Sequence, residues 1–190
     1  MSDKILQVKN LCVSFSSYAG KVQAVRDVSF DLYRGETLSI VGESGSGKSV
    51  TTKAVLGILS GNATIESGEI LYNGADLAKF QDKDFADIRG KKISLVFQDP
   101  LSALNPIMKI GKQIVEALVL SGSTPKGEAK EKALDLMRRV GIPQPEIRFN
   151  QYPFQFSGGM RQRIVIAIAL ASDPEILICD EPTTALDVTI

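Results

Sequence analysis

The sequence has no histidine, only two cysteines, no net charge and no long apolar run. Without histidine there is no imidazole in any chemistry this chain performs. Cys12 and Cys179 lie within the stretches Leu11-Cys12-Val13 and Ile178-Cys179-Asp180. So placed, they read as small buried hydrophobes, not as a disulfide framework or a metal site, which suits a reducing compartment. Lys+Arg and Asp+Glu both number 22, so no overall field draws the chain to nucleic acid or to an anionic membrane. No apolar run approaches the ~18 residues of a spanning helix, and no signal peptide opens the chain. The expectation is a soluble protein that a partner holds wherever it works at a membrane. There is no internal repeat and no low-complexity tract. What is present is ordinary for a globular chain: 190 residues, 44% hydrophobic and 23% charged, enough for one domain with a subdomain.

One stretch organises the rest. Gly42-Glu43-Ser44-Gly45-Ser46-Gly47-Lys48-Ser49 fits G-x-x-x-x-G-K-[ST]. The preceding Glu36-Thr37-Leu38-Ser39-Ile40-Val41 reads as a buried strand, and Val50 to Leu59 has the apolar spacing of a helix. Strand, glycine loop and helix together make a phosphate cradle. Gly42, Gly45 and Gly47 let successive N–H groups converge on a phosphate. The helix starting near Lys48 adds unpaired donors and its positive dipole end. Lys48 can reach the β- and γ-phosphates, and the Ser49 hydroxyl can ligate Mg²⁺.

Elsewhere, Ile5 to Phe15 and Val25 to Tyr33 read as strands, joined by a loop from Ser16 to Lys21 that contains Tyr18. Glu66-Ser67-Gly68 reads as a turn into a strand Glu69–Tyr72, closed by Asn73-Gly74. Asp82 to Arg89 reads as a short helix and Ile93 to Phe97 as a core strand. Residues 98–155 turn helical, with an amphipathic segment Ile110–Leu120 and a second helix starting at Thr124-Pro125 and ending before Gly141. In that second helix Ala129, Ala133, Leu136, Met137 and Val140 form an apolar stripe, and Glu128 and Lys132 make an i,i+4 pair. Asn150 to Phe156 reads as loop, Gly158 to Ala171 as helix and Glu175 to Cys179 as an apolar strand ending in Asp180-Glu181. A carboxylate at that strand end can hold Mg²⁺, and the adjacent Glu181 can orient and deprotonate an attacking water.

Phe156-Ser157-Gly158-Gly159-Met160-Arg161-Gln162-Arg163 makes a second phosphate-binding helix start. It resembles the signature motif of ATP-binding cassette (ABC) ATPases, usually written LSGGQ. Ser157 also reads as a plain N-cap, which leaves the paired glycines unexplained. Arg161 and Arg163 read as partners in structural ion pairs. The resemblance covers nearly the whole chain and implies an α/β fold: a P-loop NTPase (RecA-like) core with an N-terminal antiparallel β subdomain and an inserted α-helical subdomain. The corresponding division is 1–97 (β subdomain and first half of the core), 98–155 (helical subdomain) and 156–190 (signature helix, acidic strand and D-loop). It implies ATP and Mg²⁺ as ligands. ATP would be bound by Gly42, Glu43, Ser44, Gly45, Ser46, Gly47, Lys48, Ser49 and Val50, with Phe15 stacking on adenine and Tyr18 as the competitor for that place. Ser49, Gln98 and Asp180 would hold the metal, and Lys48, Gln98 and Glu181 would carry the catalysis. Ser157, Gly158 and Gly159 would contact the nucleotide of an opposed protomer, and Asp187 of Ala185-Leu186-Asp187 would cross the dimer interface.

A narrower resemblance, to the ATPase subunits of dipeptide/oligopeptide (and nickel) importers, rests on residues 42–50, on Phe97-Gln98-Asp99-Pro100-Leu101-Ser102-Ala103-Leu104-Asn105-Pro106, and on Tyr152-Pro153. Val50 resembles one of two paired ATPases, which implies a heterodimer at the cytoplasmic face of the cell membrane with permease subunits and no nucleic acid. An importer ATPase for nickel or another solute, or a non-transport ABC ATPase, stands as the alternative. Phe154 departs from the family's His and Phe156 from its signature Leu. The family's switch histidine would lie beyond Ile190, so the chain reads as a cassette cut after the D-loop. It is expected to hydrolyse ATP poorly and to leave an apolar edge open to self-association.

Overall fold

Alternating apolar and polar side chains build the first sheet. In the computed structural model, which describes residues 3–18 and 20–181, β1 (Lys4–Ser17) and β2 (Gly20–Tyr33) form one long antiparallel hairpin. The loop expected from Ser16 to Lys21 shrinks to the turn between Ser17 and Gly20, where the Ser17 hydroxyl donates to the Gly20 carbonyl at 2.8 Å. β3 (Ala63–Tyr72) and the two-residue β4 (Ala75–Asp76) complete a sheet of order β2-β1-β3-β4.

The expected turn at Glu66-Ser67-Gly68 lies inside β3. Register shifts between β1 and β3 fall at Lys9/Cys12 and Cys12/Val13, and Gly68 has φ +102°. A Cβ there would stand 2.6 Å from the Lys9 carbonyl oxygen and 2.7 Å from that of Asn10. The glycine serves a β-bulge pressed against the neighbouring backbone, a use that sequence patterning does not separate from a turn. Val8, Leu11 and Val13 of β1, Ile70 of β3 and Leu77 just after β4 are fully buried.

The helix after the phosphate loop, α1 (Lys48–Val55), buries Thr51, Ala54 and Val55 and lies against β2. It ends earlier than Leu59. Gly57, at φ +62°, donates its N–H to Ala54 and Ile58 donates to Lys53, at 3.1 and 3.0 Å. These two bonds close a Schellman cap that satisfies the last carbonyls.

Residues 36–41, expected as a buried strand, form no strand: no ladder partner pairs with them among the described residues. Their apolar side chains are therefore uncovered, with Leu38, Ile40 and Val41 at 39%, 44% and 89% exposure. Asp82–Asp87 is a 3₁₀ turn with Phe85 buried, not an α-helix.

The chain divides between Ala86 and Asp87 into two units. In the second, β5 (Ile93–Val96) and β6 (Ile176–Cys179) pair in parallel, Ile93 with Ile176 through Val96 with Cys179. Around them stand α2 (Pro100–Ala103), α3 (Ile110–Leu120), α4 (Ala129–Arg139), α5 (Pro145–Arg148) and α6 (Gly158–Leu170). Their core includes Ile110, Ile114, Leu118, Ala133, Met137 and Ile164. α4 begins later than Thr124: Glu128 is its N-cap, outside the helix, and forms no ion pair with Lys132. Its end is as expected, with Gly141 at φ +75° and Ile142 donating to Met137. Arg138 and Arg139 occupy the last turn, the favourable end of the dipole for cations. α6 is apolar on nearly every side and packs against α2, α3, α4 and β5, as a helix surrounded by core must.

Candidate functional site

The phosphate loop is made by glycine geometry. Gly45 and Gly47 have φ +80° and +94°, a region that side-chain-bearing residues rarely enter. Gly47 is the N-cap of α1 and offers no side chain to cap it, so the cap itself takes none of the first N–H groups of the helix, the groups that bind anions at such a terminus. A Cβ on Gly47 would lie 2.6 Å from the Ala24 carbonyl oxygen and 3.4 Å from Val25 Cγ2. β2 thus forms the floor on which the loop sits.

The Lys48 ammonium donates to the Gly42 and Glu43 carbonyls at 2.7 and 2.9 Å. Its charge stays inside the ring of the loop, where an entering phosphate would meet it. Thr51 donates both its N–H and its hydroxyl to the Gly47 carbonyl, at 2.9 and 3.0 Å, locking the first turn. No acidic residue lies in that turn, which suits an anion. Glu43, Ser44 and Ser46 are exposed along the loop, while Ser49 and Val50 are half-buried in the helix start.

Of the two aromatic candidates, Phe15 is half-buried in β1 opposite Val22 of β2, two residues along that strand from Ala24 of the floor. Tyr18 is fully exposed at the hairpin end. The sheet therefore holds Phe15 near the loop's level and leaves Tyr18 to solvent.

In the second unit the acidic pair follows β6. Asp180 donates its N–H to the Val96 carbonyl at 3.1 Å, extending the ladder by one step, and is half-buried. Glu181 has φ +48°, so the chain turns sharply at the carboxylate. Gln98 Nε2 donates to Glu181 Oε2 at 2.8 Å. Immediately after Gln98, the Asp99 carboxylate accepts the Leu101 N–H at 2.9 Å and caps α2. Asp99 was not a sequence candidate; an Asp directly before Pro100 is the cap signal that would have found it.

Cys179, expected to be buried, is exposed, because β6 pairs only with β5 among the described residues. The partial burial it does have pushes its thiol up from the ordinary value, which favours the less reactive neutral form.

At the second glycine turn, Ser157 caps α6, its hydroxyl accepting the Met160 N–H at 3.4 Å. Gly158 and Gly159 follow in the first turn, and a Cβ on Gly158 would meet open space. Phe156 is buried with the Arg148 guanidinium over its ring. Phe154 is exposed and stacks on Tyr152 with ring centroids 5.8 Å apart. Arg161 and Arg163 are structural, but through carbonyls instead of carboxylates. Arg161 donates to the Pro153 carbonyl at 2.9 Å and Arg163 to that of Gly141 at 3.1 Å. Each thereby ties α6 to the loop or helix end beside it. Asp187 and the rest of 182–190 lie outside the described residues.

The donors proposed from sequence for a metal are a hydroxyl, an amide and a carboxylate (Ser49, Gln98, Asp180). All are hard oxygen ligands of the kind Mg²⁺ takes alongside phosphate and water. Because Gln98 gives its nitrogen to Glu181, the amide orientation leaves its oxygen, the atom that could ligate a metal, without a hydrogen bond among the described residues.

A family model described as ABC transporter matches residues 25–184. The chain is 58% identical over 189 residues to the dipeptide transport ATP-binding protein DppD of Lactococcus lactis subsp. cremoris, covering 99% of this chain and 54% of the relative. It is 54% identical over 188 residues to the oligopeptide transport ATP-binding protein OppD of Bacillus subtilis, covering 98% and 52%. It superposes on the solved dimeric structure of an ATP-binding cassette in a post-hydrolysis state, bound to ADP and Pi. The TM-score is 0.85 at 29% identity, over 96% of this chain and 76% of that one. The chain spans about half the length of the curated relatives it matches.

Proposed function

The chain belongs to the ABC transporter family, with the mixed α/β fold of its ATP-binding cassettes, and on that premise we propose that it is the ATP-binding and ATP-hydrolysing part of a peptide importer. The observation that carries this reading is the 58% identity to a dipeptide transport ATP-binding protein across the whole stretch that bears the site. The geometry supports it chemically. A glycine loop with Lys48 at its centre and the donors of α1 at its base receives the β- and γ-phosphates. Phe15 would stack on adenine, a reading that its half-burial in β1 and the full exposure of Tyr18 support. Ser49, Gln98 and Asp180 would each offer an oxygen to Mg²⁺, which would supply charge to offset that of the phosphates. Glu181, at the turn beyond β6, orients the attacking water and takes its proton.

Ser157, Gly158 and Gly159, at the start of α6, would contact the nucleotide of an opposed cassette. The dimeric state of the similar solved cassette supports this arrangement. The second cassette is a homologous ATPase, and both work at the cytoplasmic face of the membrane, where permease subunits anchor them. No helix among the described residues is long and apolar enough to cross a membrane.

Glu181→Gln in the full-length protein tests the assignment. ATP hydrolysis is expected to fall by roughly 100-fold or more, while binding of a fluorescent ATP analogue persists. Hydrolysis at the unsubstituted rate would overturn the role of Glu181. Lys48→Ala is expected to abolish binding itself, and retained affinity would remove the phosphate loop from the account.

A further inference from the structure

The contact between Gln98 and Glu181 is a consequence of register. β5 and β6 run parallel with Val96 opposite Cys179, and the Asp180 N–H continues the ladder onto the Val96 carbonyl. Two residues beyond each strand end, at the same separation of 83 residues along the chain, Gln98 Nε2 meets Glu181 Oε2 at 2.8 Å. Gln98 is presented from a fixed place, with the ladder on one side and the Asp99 cap of α2 on the other. The carboxylate is exposed and stands on a left-handed turn. A charge-assisted bond selects among the rotamers open to such a side chain.

We propose that Gln98 is a positioning residue for Glu181: its Nε2 holds the carboxylate in one orientation while its Oε1 remains available to a cation. One side chain thereby sets the distance between the base and the metal-binding oxygen. The catalytic consequence rests on the reading of Glu181 as the base; the contact itself does not.

Side-chain ¹⁵N–¹H spectra of the glutamine-labelled full-length protein test the contact directly, with Gln98 assigned by its loss in Gln98→Met. Glu181→Ala is expected to shift the Gln98 amide signals and leave those of Gln7, which donates to Asp31 at 2.9 Å, where they are. Gln98 signals that do not move would overturn the proposal. Kinetics of Gln98→Glu then separate positioning from metal binding, since the substitution keeps an oxygen ligand but sets a second carboxylate against Glu181. We expect kcat to fall roughly 10-fold or more with KM for Mg–ATP within about 3-fold. A Gln98→Glu protein with unchanged kcat would show that only the oxygen matters and would refute positioning. A parent protein that binds no Mg–ATP would instead sink the ATPase reading, and the spectra would still decide whether Gln98 holds Glu181.

Discussion

Adding one methyl group at Gly47 asks the most of the phosphate loop. The residue sits at φ +94°, where an L-residue costs about 1–2 kcal/mol relative to glycine. The new Cβ would also lie 2.6 Å from the Ala24 carbonyl oxygen. That neighbour is backbone of β2, at the bulge between the Val13–Val25 and Ser14–Gln23 pairs, and cannot rotate away as a side chain could. Relieving the overlap means lifting the loop off its floor, at about 1–2 kcal/mol more. The total of roughly 2–4 kcal/mol is a large share of the 5–15 kcal/mol that holds a typical domain together. Gly47→Ala should therefore lower Tm by roughly 5–15 °C and weaken ATP-analogue binding at least about 10-fold, because the donors of α1 no longer converge. Gly45→Ala is the control. Its φ is similarly positive, at +80°, but its Cβ would meet nothing within 4 Å, so only the conformational cost applies. Thermal melts and titration with a fluorescent ATP analogue measure both. Equal losses of stability and affinity in the two variants would refute the claim that the Ala24 carbonyl fixes the loop.

Three further outcomes are expected. The Asp76 carboxylate is pushed up by burial, but the Lys79 ammonium and the N–H groups of Ile70 and Ala78 outweigh this and hold it below its usual value. Its stabilising contribution is therefore present above the unfolded-state value of 3.8 and lost as pH falls through the lower folded value. Urea unfolding at stepped pH should show that loss, and Asp76→Asn should abolish it while lowering stability at neutral pH by about 1–2 kcal/mol. In α3, Gly111→Ala would drive a Cβ to 2.2 Å from the Phe149 ring; a destabilisation of about 1–3 kcal/mol is expected in chemical denaturation, partly restored when Phe149→Leu is combined with it. Gln162 is fully buried, and neither its Nε2 nor its Oε1 has a hydrogen-bond partner among the described residues. Gln162→Met, similar in size and without a polar amide to strand, should raise stability by about 1 kcal/mol, and a drop in the unfolding midpoint would contradict that.

What could be read along the chain was whatever depends on near neighbours. The loop from Gly42 to Ser49, the helix behind it and the cap at Ser157 each need only eight or so consecutive residues, and φ/ψ preferences with helical spacing are written at that range. The apolar stripe of α4 and its Gly141 stop were legible for the same reason. What the tertiary structure decided were pairings across the chain. Gly68 reads as a turn until the carbonyls of Lys9 and Asn10 are found against it. Leu38, Ile40 and Val41 read as a buried strand, yet burial requires ladder partners that no local pattern names. Gln98 and Glu181, 83 residues apart, touch because two short strands share a parallel register. Periodicity says which side chains face a sheet, but register is chosen by the sum of non-local contacts, and so the partner of the Glu181 carboxylate is decided only when the strands meet.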